Sequence, residues 1–181
     1  YMVKTYLNQI KLYGDLWGDN YQSLTNLIHQ LHSIKKVTEQ VFSSDETFDL
    51  VVFCRPDLLY LDSFRQYLIS ASKDKKQTIY IPSWQHHGGL NDRFAICVGI
   101  KAAQCYGERL LYANEYCQKS RLPLGGEHLL KYVTKTGQMK IKALKVRAKR
   151  VRFNGAIKKE VFLDYRLHEV LRILRNLMKF Q

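Results

Sequence analysis

Apolar residues recur along residues 21–42 at steps of three and four: Leu24, Leu27, Ile28, Leu31, Ile34, Val41 and Phe42, with polar residues between them. A helix of 3.6 residues per turn gathers such positions into one stripe, so an amphipathic helix is predicted there. Before it, residues 13–19 (Tyr-Gly-Asp-Leu-Trp-Gly-Asp) read as a loop with aromatic anchors. Residues 48–55 form a short, nearly continuous apolar run rich in β-formers. Without alternation, that run predicts a central strand covered on both faces, stopped by Pro56, which has no N–H for a ladder.

The same reading continues along the chain. A helix is expected over 63–72, a strand over 78–82, a loop over 83–90 and a strand over 93–98. Helical spacing resumes near Ile100, Ala103, Leu110 and Leu111, and Gly125-Gly126 precede a helix over 127–134. Residues 139–153 alternate partly between basic and apolar, as one or two edge strands would. A last helix is expected over about 160–180, carrying Val161, Leu167, Val170, Leu171, Leu174 and Leu177. Strands alternating with helices predict an α/β fold, a layered mixed sheet flanked by helices.

Composition changes this picture little. The 181 residues suit one domain spanning 1–181, and 46% hydrophobic content argues against disorder. No apolar run approaches the ~20 residues of a membrane-spanning helix. The chain opens on Tyr1 rather than Met, which leads us to expect further sequence upstream. Cysteines stand at 54, 97, 105 and 117, none in a C-x-x-C pair, so a zinc site is not expected. Cys54 and Cys97 fall in apolar runs, and free buried thiols fit a reducing, cytoplasmic setting.

Charge changes it more. The net charge is +13, and residues 131–159 hold many Lys and Arg with no Asp or Glu. Such a field draws polyanions: nucleic acid, anionic lipid headgroups or a diphosphate-bearing substrate. It is equally the pattern of a solvated basic face. As a nucleic-acid surface the segment is poor in stacking residues, with Tyr132 and Phe153 alone, and no helix-turn-helix, zinc-finger or RNP motif appears.

Three polar clusters remain as candidate chemistry. Asp57 lies two residues past Arg55 at the end of the predicted strand. An arginine there can grip phosphate oxygens, and a carboxylate can hold a divalent cation or a ribose hydroxyl; a structural Arg–Asp pair is the plainer alternative. Gly88-Gly89-Leu90-Asn91-Asp92-Arg93 permits close backbone approach to a ligand, or an ordinary turn. His86 and His87 are adjacent on an extended segment and point opposite ways, so they do not share an ion. Glu127 follows Gly125-Gly126 at a helix start, where the dipole favours a carboxylate; in reach of a sugar hydroxyl it would serve as a general base.

The order of these clusters resembles the GT-A class of nucleotide-sugar glycosyltransferases. FDLVVFCRPDLLY with IYIPSWQHHGGLNDRFAI is similar to a group of glycosyltransferases from bacteria and large DNA viruses, over roughly residues 48–130. The resemblance implies a GT-A-like (Rossmann-like) partial domain, its amino-terminal nucleotide-binding unit lying before this segment. It implies transfer of a sugar from a nucleoside diphosphate donor to a glycan or lipid-linked acceptor, assisted by Mn²⁺ or Mg²⁺, in surface glycan or polysaccharide synthesis, peripheral to an anionic membrane. Asp57 would stand at the end of the family's Asp-x-Asp motif, touching metal or diphosphate, with Arg55 in place of its first aspartate. Arg55, Asn91 and Arg93 would meet the donor; Glu127 and Asp92 would be catalytic. Trp84, His87, Gly88 and Gly89 would line the sugar or acceptor pocket, Trp84 stacking on a sugar ring or packing on the core.

Overall fold

A computed structural model of the chain describes residues 2–43, 47–74 and 77–163. In chain order they form α1 (Met2–Ile10), a 3₁₀ turn (Lys11–Tyr13), α2 (Gln22–Phe42), β1 (Leu50–Phe53), β2 (Leu58–Tyr60), α3 (Arg65–Ser72), β3 (Thr78–Pro82) and β4 (Ala95–Val98). Then come α4 (Ile100–Gly107), a 3₁₀ turn (Arg109–Tyr112), α5 (Ala113–Ser120), α6 (Gly126–Thr136), β5 (Lys140–Leu144) and β6 (Ala148–Arg150). Most of the expected carboxyl-terminal helix lies outside the described residues; within them, 160–163 are not helical.

The main sheet has the order β1-β4-β3-β5. β4 runs antiparallel to both β1 and β3, and β5 runs parallel to β3. β2 and β6 form a separate antiparallel ribbon. The architecture is thus mixed α/β, a mixed sheet flanked by helices. One expectation fails: β1 is an edge strand, with Val52 exposed, and the fully buried strands are β3 and β4. An apolar run marks covered faces but is silent on how many neighbours a strand has.

Successive side chains on β3 and β4 feed two cores, as a period of two requires. Ile79, Ile81, Ala95 and Cys97 face a layer that includes Ile10, Leu24, Leu31, Tyr106, Leu110 and Leu129, from the helices α1, α2, α4 and α6 and the second 3₁₀ turn. Tyr80, Ile96 and Val98 face Leu58, Ala71, Trp84, Phe94 and Val146, under α3 and the ribbon. Each large side chain so buried contributes roughly 1.5–3 kcal/mol of transfer free energy. On α2 the buried stripe is Leu24, Ile28, Leu31, Lys35 and Thr38. Ile34 is left at the edge of that stripe, beside a cleft.

The loop before α2 is anchored as expected by Tyr13, which packs against the core, but not by Trp17. Trp17 is 43% exposed, while Asp15 accepts the N–H groups of Trp17 and Tyr21 and Asp19 caps Ser23. Carboxylate-to-backbone bonds anchor it rather than the tryptophan. Cys54, expected to be buried, is exposed just past β1.

Candidate functional site

Strand register dictates which loops meet. Phe53 pairs with Ala95, so the chain leaving β1 at residues 54–57 lies beside the chain entering β4 at 91–94. Tyr80 pairs with Ile96, which sends residues 83–86 to the same rim, and Leu144 opposite Pro82 sends residues 145–147 there too. Tyr60 closes the turn after β1 by accepting the N–H of Arg55 at 3.0 Å.

Glu127 reaches this rim through glycine. The N–H of Leu90 donates to the carbonyl of Glu127 at 2.9 Å. A Cβ on Gly89 would stand 2.2 Å from that carbonyl, and a Cβ on Gly126 would stand 2.7 Å from Asp92 Oδ2. Both are positions where only a glycine lets two backbones, or a backbone and a carboxylate, approach so closely. The glycine pairs read from the sequence are therefore the contact between the 88–92 loop and the first turn of α6.

Charges at the rim come mostly in pairs. Arg55 forks onto Asp57, with Nε to Oδ1 at 2.8 Å and Nη2 to Oδ2 at 2.7 Å, and its Nη1 donates to Gln30 of α2 at 2.9 Å. The guanidinium holds the Asp57 carboxyl below its ordinary range. Burial opposes the charge of Arg55, but Asp57, with Asp92 nearby, raises its pKa on balance. Arg109, fully buried, lies 3.4 Å from Asp92 Oδ2 and stacks on Tyr106, whose hydroxyl donates to the Asp92 carbonyl at 2.6 Å. Arg93 lies 3.1 Å from Glu160, donates to Gln85 at 2.6 Å and sits over the Trp84 ring. The Glu160 side chain is only 2% exposed, and Gln85 and Arg93 hold its pKa low against the cost of burial.

Among the described residues, Glu127 has no such ion pair. Burial, and then the negative charge of Asp92, push its carboxyl up to about 7, against weaker opposition from its own helix N–H, Arg93 and Arg150. A carboxyl with that pKa exchanges protons near neutrality, as a general base must.

Beside the rim, a cleft of about 560 Å³ opens between α2 and the end of β1. Asn26, Gln30 and Ile34 form one wall; Val52, Asp57 and Arg93 belong to the other. Arg55 and Asp57 line it, whereas Glu127 reaches it only through the field it shares with Arg93.

Several expected site residues are committed elsewhere. Trp84 is 2% exposed, donates its indole N–H to the Val146 carbonyl at 2.9 Å and meets Phe162 edge-on. It packs in the core and cannot stack on a sugar. Asn91 is 1% exposed. Its amide donates to the Trp84 carbonyl and accepts from the Arg93 N–H, while its own N–H reaches His86 Nδ1. Asn91 therefore shapes the loop rather than meeting a donor. Asp92 is tied to Arg109, and its negative charge acts on Glu127. His87 and Gly88 are exposed, and Gly89 is buried against α6. The sequence reading missed Arg109, Tyr106, Arg150 and Glu160. An arginine in the apolar spacing between Tyr106 and Leu110 was the one available signal for Arg109.

The residues around Asp57 do not fit Mn²⁺ or Mg²⁺. Both carboxylate oxygens bond to Arg55, Arg150 adds its field, and among the described residues no three His, Cys, Asp or Glu side chains stand together as a cation set. Part of the basic segment is paired within the fold. Lys131 donates to the Gly88 carbonyl, Lys142 pairs with Asp74, and Arg147 forks onto Asp62. Among the described residues no helix is long and apolar enough to cross a membrane. Compared with protein-family models, curated proteins and solved structures, the chain matches none.

Proposed function

We propose that the chain belongs to a glycosyltransferase of GT-A-like design, moving a sugar from a nucleoside diphosphate donor to a hydroxyl acceptor. The observation that carries this reading is Glu127, a mostly buried carboxyl held beside Asp92 without an ion-pair partner among the described residues and poised near neutral pH. It stands at the same rim as an arginine-lined cleft. Burial keeps the proton affinity of Glu127 high, and Asp92, oriented by Arg109, raises it further.

In the reaction, a Glu127 carboxylate oxygen takes the proton of the acceptor hydroxyl as the hydroxyl oxygen attacks the anomeric carbon. The bond from that carbon to the diphosphate oxygen breaks, and its electron pair leaves with the diphosphate. Arg55 and Arg93 receive the growing negative charge, a stabilisation that acts mainly in the transition state. Asp57 holds the Arg55 fork in the cleft. No metal takes part in these steps.

Sugar transfer from nucleoside diphosphate sugars, measured across pH, tests the reading. Glu127→Gln should lower kcat about 10²–10⁴-fold, and the wild-type rate should rise through an acidic limb near pH 7. Asp57→Ala should raise KM by freeing the Arg55 fork. Wild-type rates in Glu127→Gln would remove the assignment of the base.

A further inference from the structure

Among the described residues, Arg150 is the arginine of this rim without a carboxylate at ion-pair distance. Arg55, Arg93 and Arg109 have carboxylates at 2.7, 3.1 and 3.4 Å; Arg150 has no ion pair among the described residues. Its Nε is buried and has no hydrogen-bond acceptor among the described residues. Backbone bonds place it firmly: Arg150 pairs with Leu58 across the ribbon, and the N–H of Val151 donates to the Asp57 carbonyl at 2.9 Å. It is therefore fixed one residue from Asp57, in the electrostatic company of Arg55, Arg93 and Glu127.

We propose that Arg55, Arg93 and Arg150 form an anion site that binds the diphosphate of a nucleoside diphosphate without a metal ion. A half-buried guanidinium without an ion pair carries a desolvation cost that a bound anion would offset. Burial, then the like charges of Arg93 and Arg55, pull the Arg150 pKa down against the opposing charge of Asp57. Guanidinium forks match phosphate oxygens two at a time. Two buried donors lack an aligned hydrogen-bond acceptor among the described residues: Arg93 Nη1, which lies 3.1 Å from Glu160, and Arg150 Nε. This inference rests on the transferase reading for its ligand class, though not for its site.

The test is calorimetric titration of the full chain with inorganic pyrophosphate and with UDP, first in EDTA and then with Mn²⁺ added. Both ligands should bind in EDTA, with affinity unchanged by Mn²⁺. Arg150→Gln should weaken pyrophosphate about tenfold or more, while Arg147→Gln, whose exposed guanidinium is forked onto Asp62, should leave it unchanged. Thermal melts establish that each variant folds. If Arg150→Gln does not fold, Arg150→Lys is read instead; it keeps the charge, loses the fork and should still weaken pyrophosphate. Binding that appears only with Mn²⁺, equal losses in the Arg147 and Arg150 variants, or wild-type affinity in Arg150→Lys each overturn the proposal. Pyrophosphate binding in EDTA without transfer of any sugar leaves the anion site standing and removes the transferase reading. Transfer that requires Mn²⁺ does the reverse.

Discussion

Glu127 holds a conflict between stability and chemistry. Its carboxyl titrates at about 7 when folded, against an ordinary 4.5, so between those values the folded chain keeps a proton that the unfolded chain has lost. Stability therefore falls as pH rises from about 4.5 to about 7, and the full cost, roughly 1–3 kcal/mol, stands above pH 7. Glu127→Gln, which cannot ionise, should melt at a higher temperature than wild type at pH 8 and near the wild-type temperature at pH 4.5. Equal melting temperatures at pH 8 would mean that the carboxyl is not destabilised by its surroundings. At this scale the sequence was half legible. Arg55, Asp57, Asp92 and Glu127 stood out because carboxylates are scarce in a chain of charge +13. Trp84 stood out as a ring that would stack on a sugar or pack on the core, and it packs; the polar handle of Asn91 holds its own loop. Arg150 was hidden among the many cations of 131–159, where no residue-level signal separates the one that turns inward.

Among the elements, the contact between the 88–92 loop and α6 is the most exacting. Gly89→Ala would place a methyl 2.2 Å from the Glu127 carbonyl, so α6 must shift or the loop must open. We expect a loss of roughly 1–3 kcal/mol in urea unfolding, the usual cost of overpacking, together with a fall in transfer rate as Glu127 moves off Asp92. A variant of wild-type stability and rate would show that the approach is looser than these distances imply. Helix and strand positions were largely readable, because α2, β3 and α6 carry clear periods and α6 has two glycines before it. α1, α5 and β2 escaped, α1 despite the helical spacing of Val3, Leu7 and Ile10, whereas β6 lies within the edge strands expected over 139–153. The rank of β1 was misread, since an apolar strand packed between a helix layer and an aromatic cluster looks the same at an edge as at the centre.

For the whole molecule, β3 and β4 lie between two separate cores, and β1 has one open edge. Hydrogen exchange should follow that layout: the amides of Ile79, Ile96 and Cys97 are expected among the slowest, and the outward amides of β1 should exchange much faster. Uniform protection across β1 and β4 would contradict an open edge. The sequence by itself determined the class of fold, the places of the main helices and strands, the scarcity of carboxylates and the glycine pairs, because period, composition and turn chemistry are local properties. Only the tertiary structure decided the order of the strands, the meeting of three distant loops at one rim, the burial of Trp84 and Asn91, and the choice of Arg150 from a crowd of cations. Those depend on register and on which charge is left without a partner, and both arise from contacts between residues far apart in the chain.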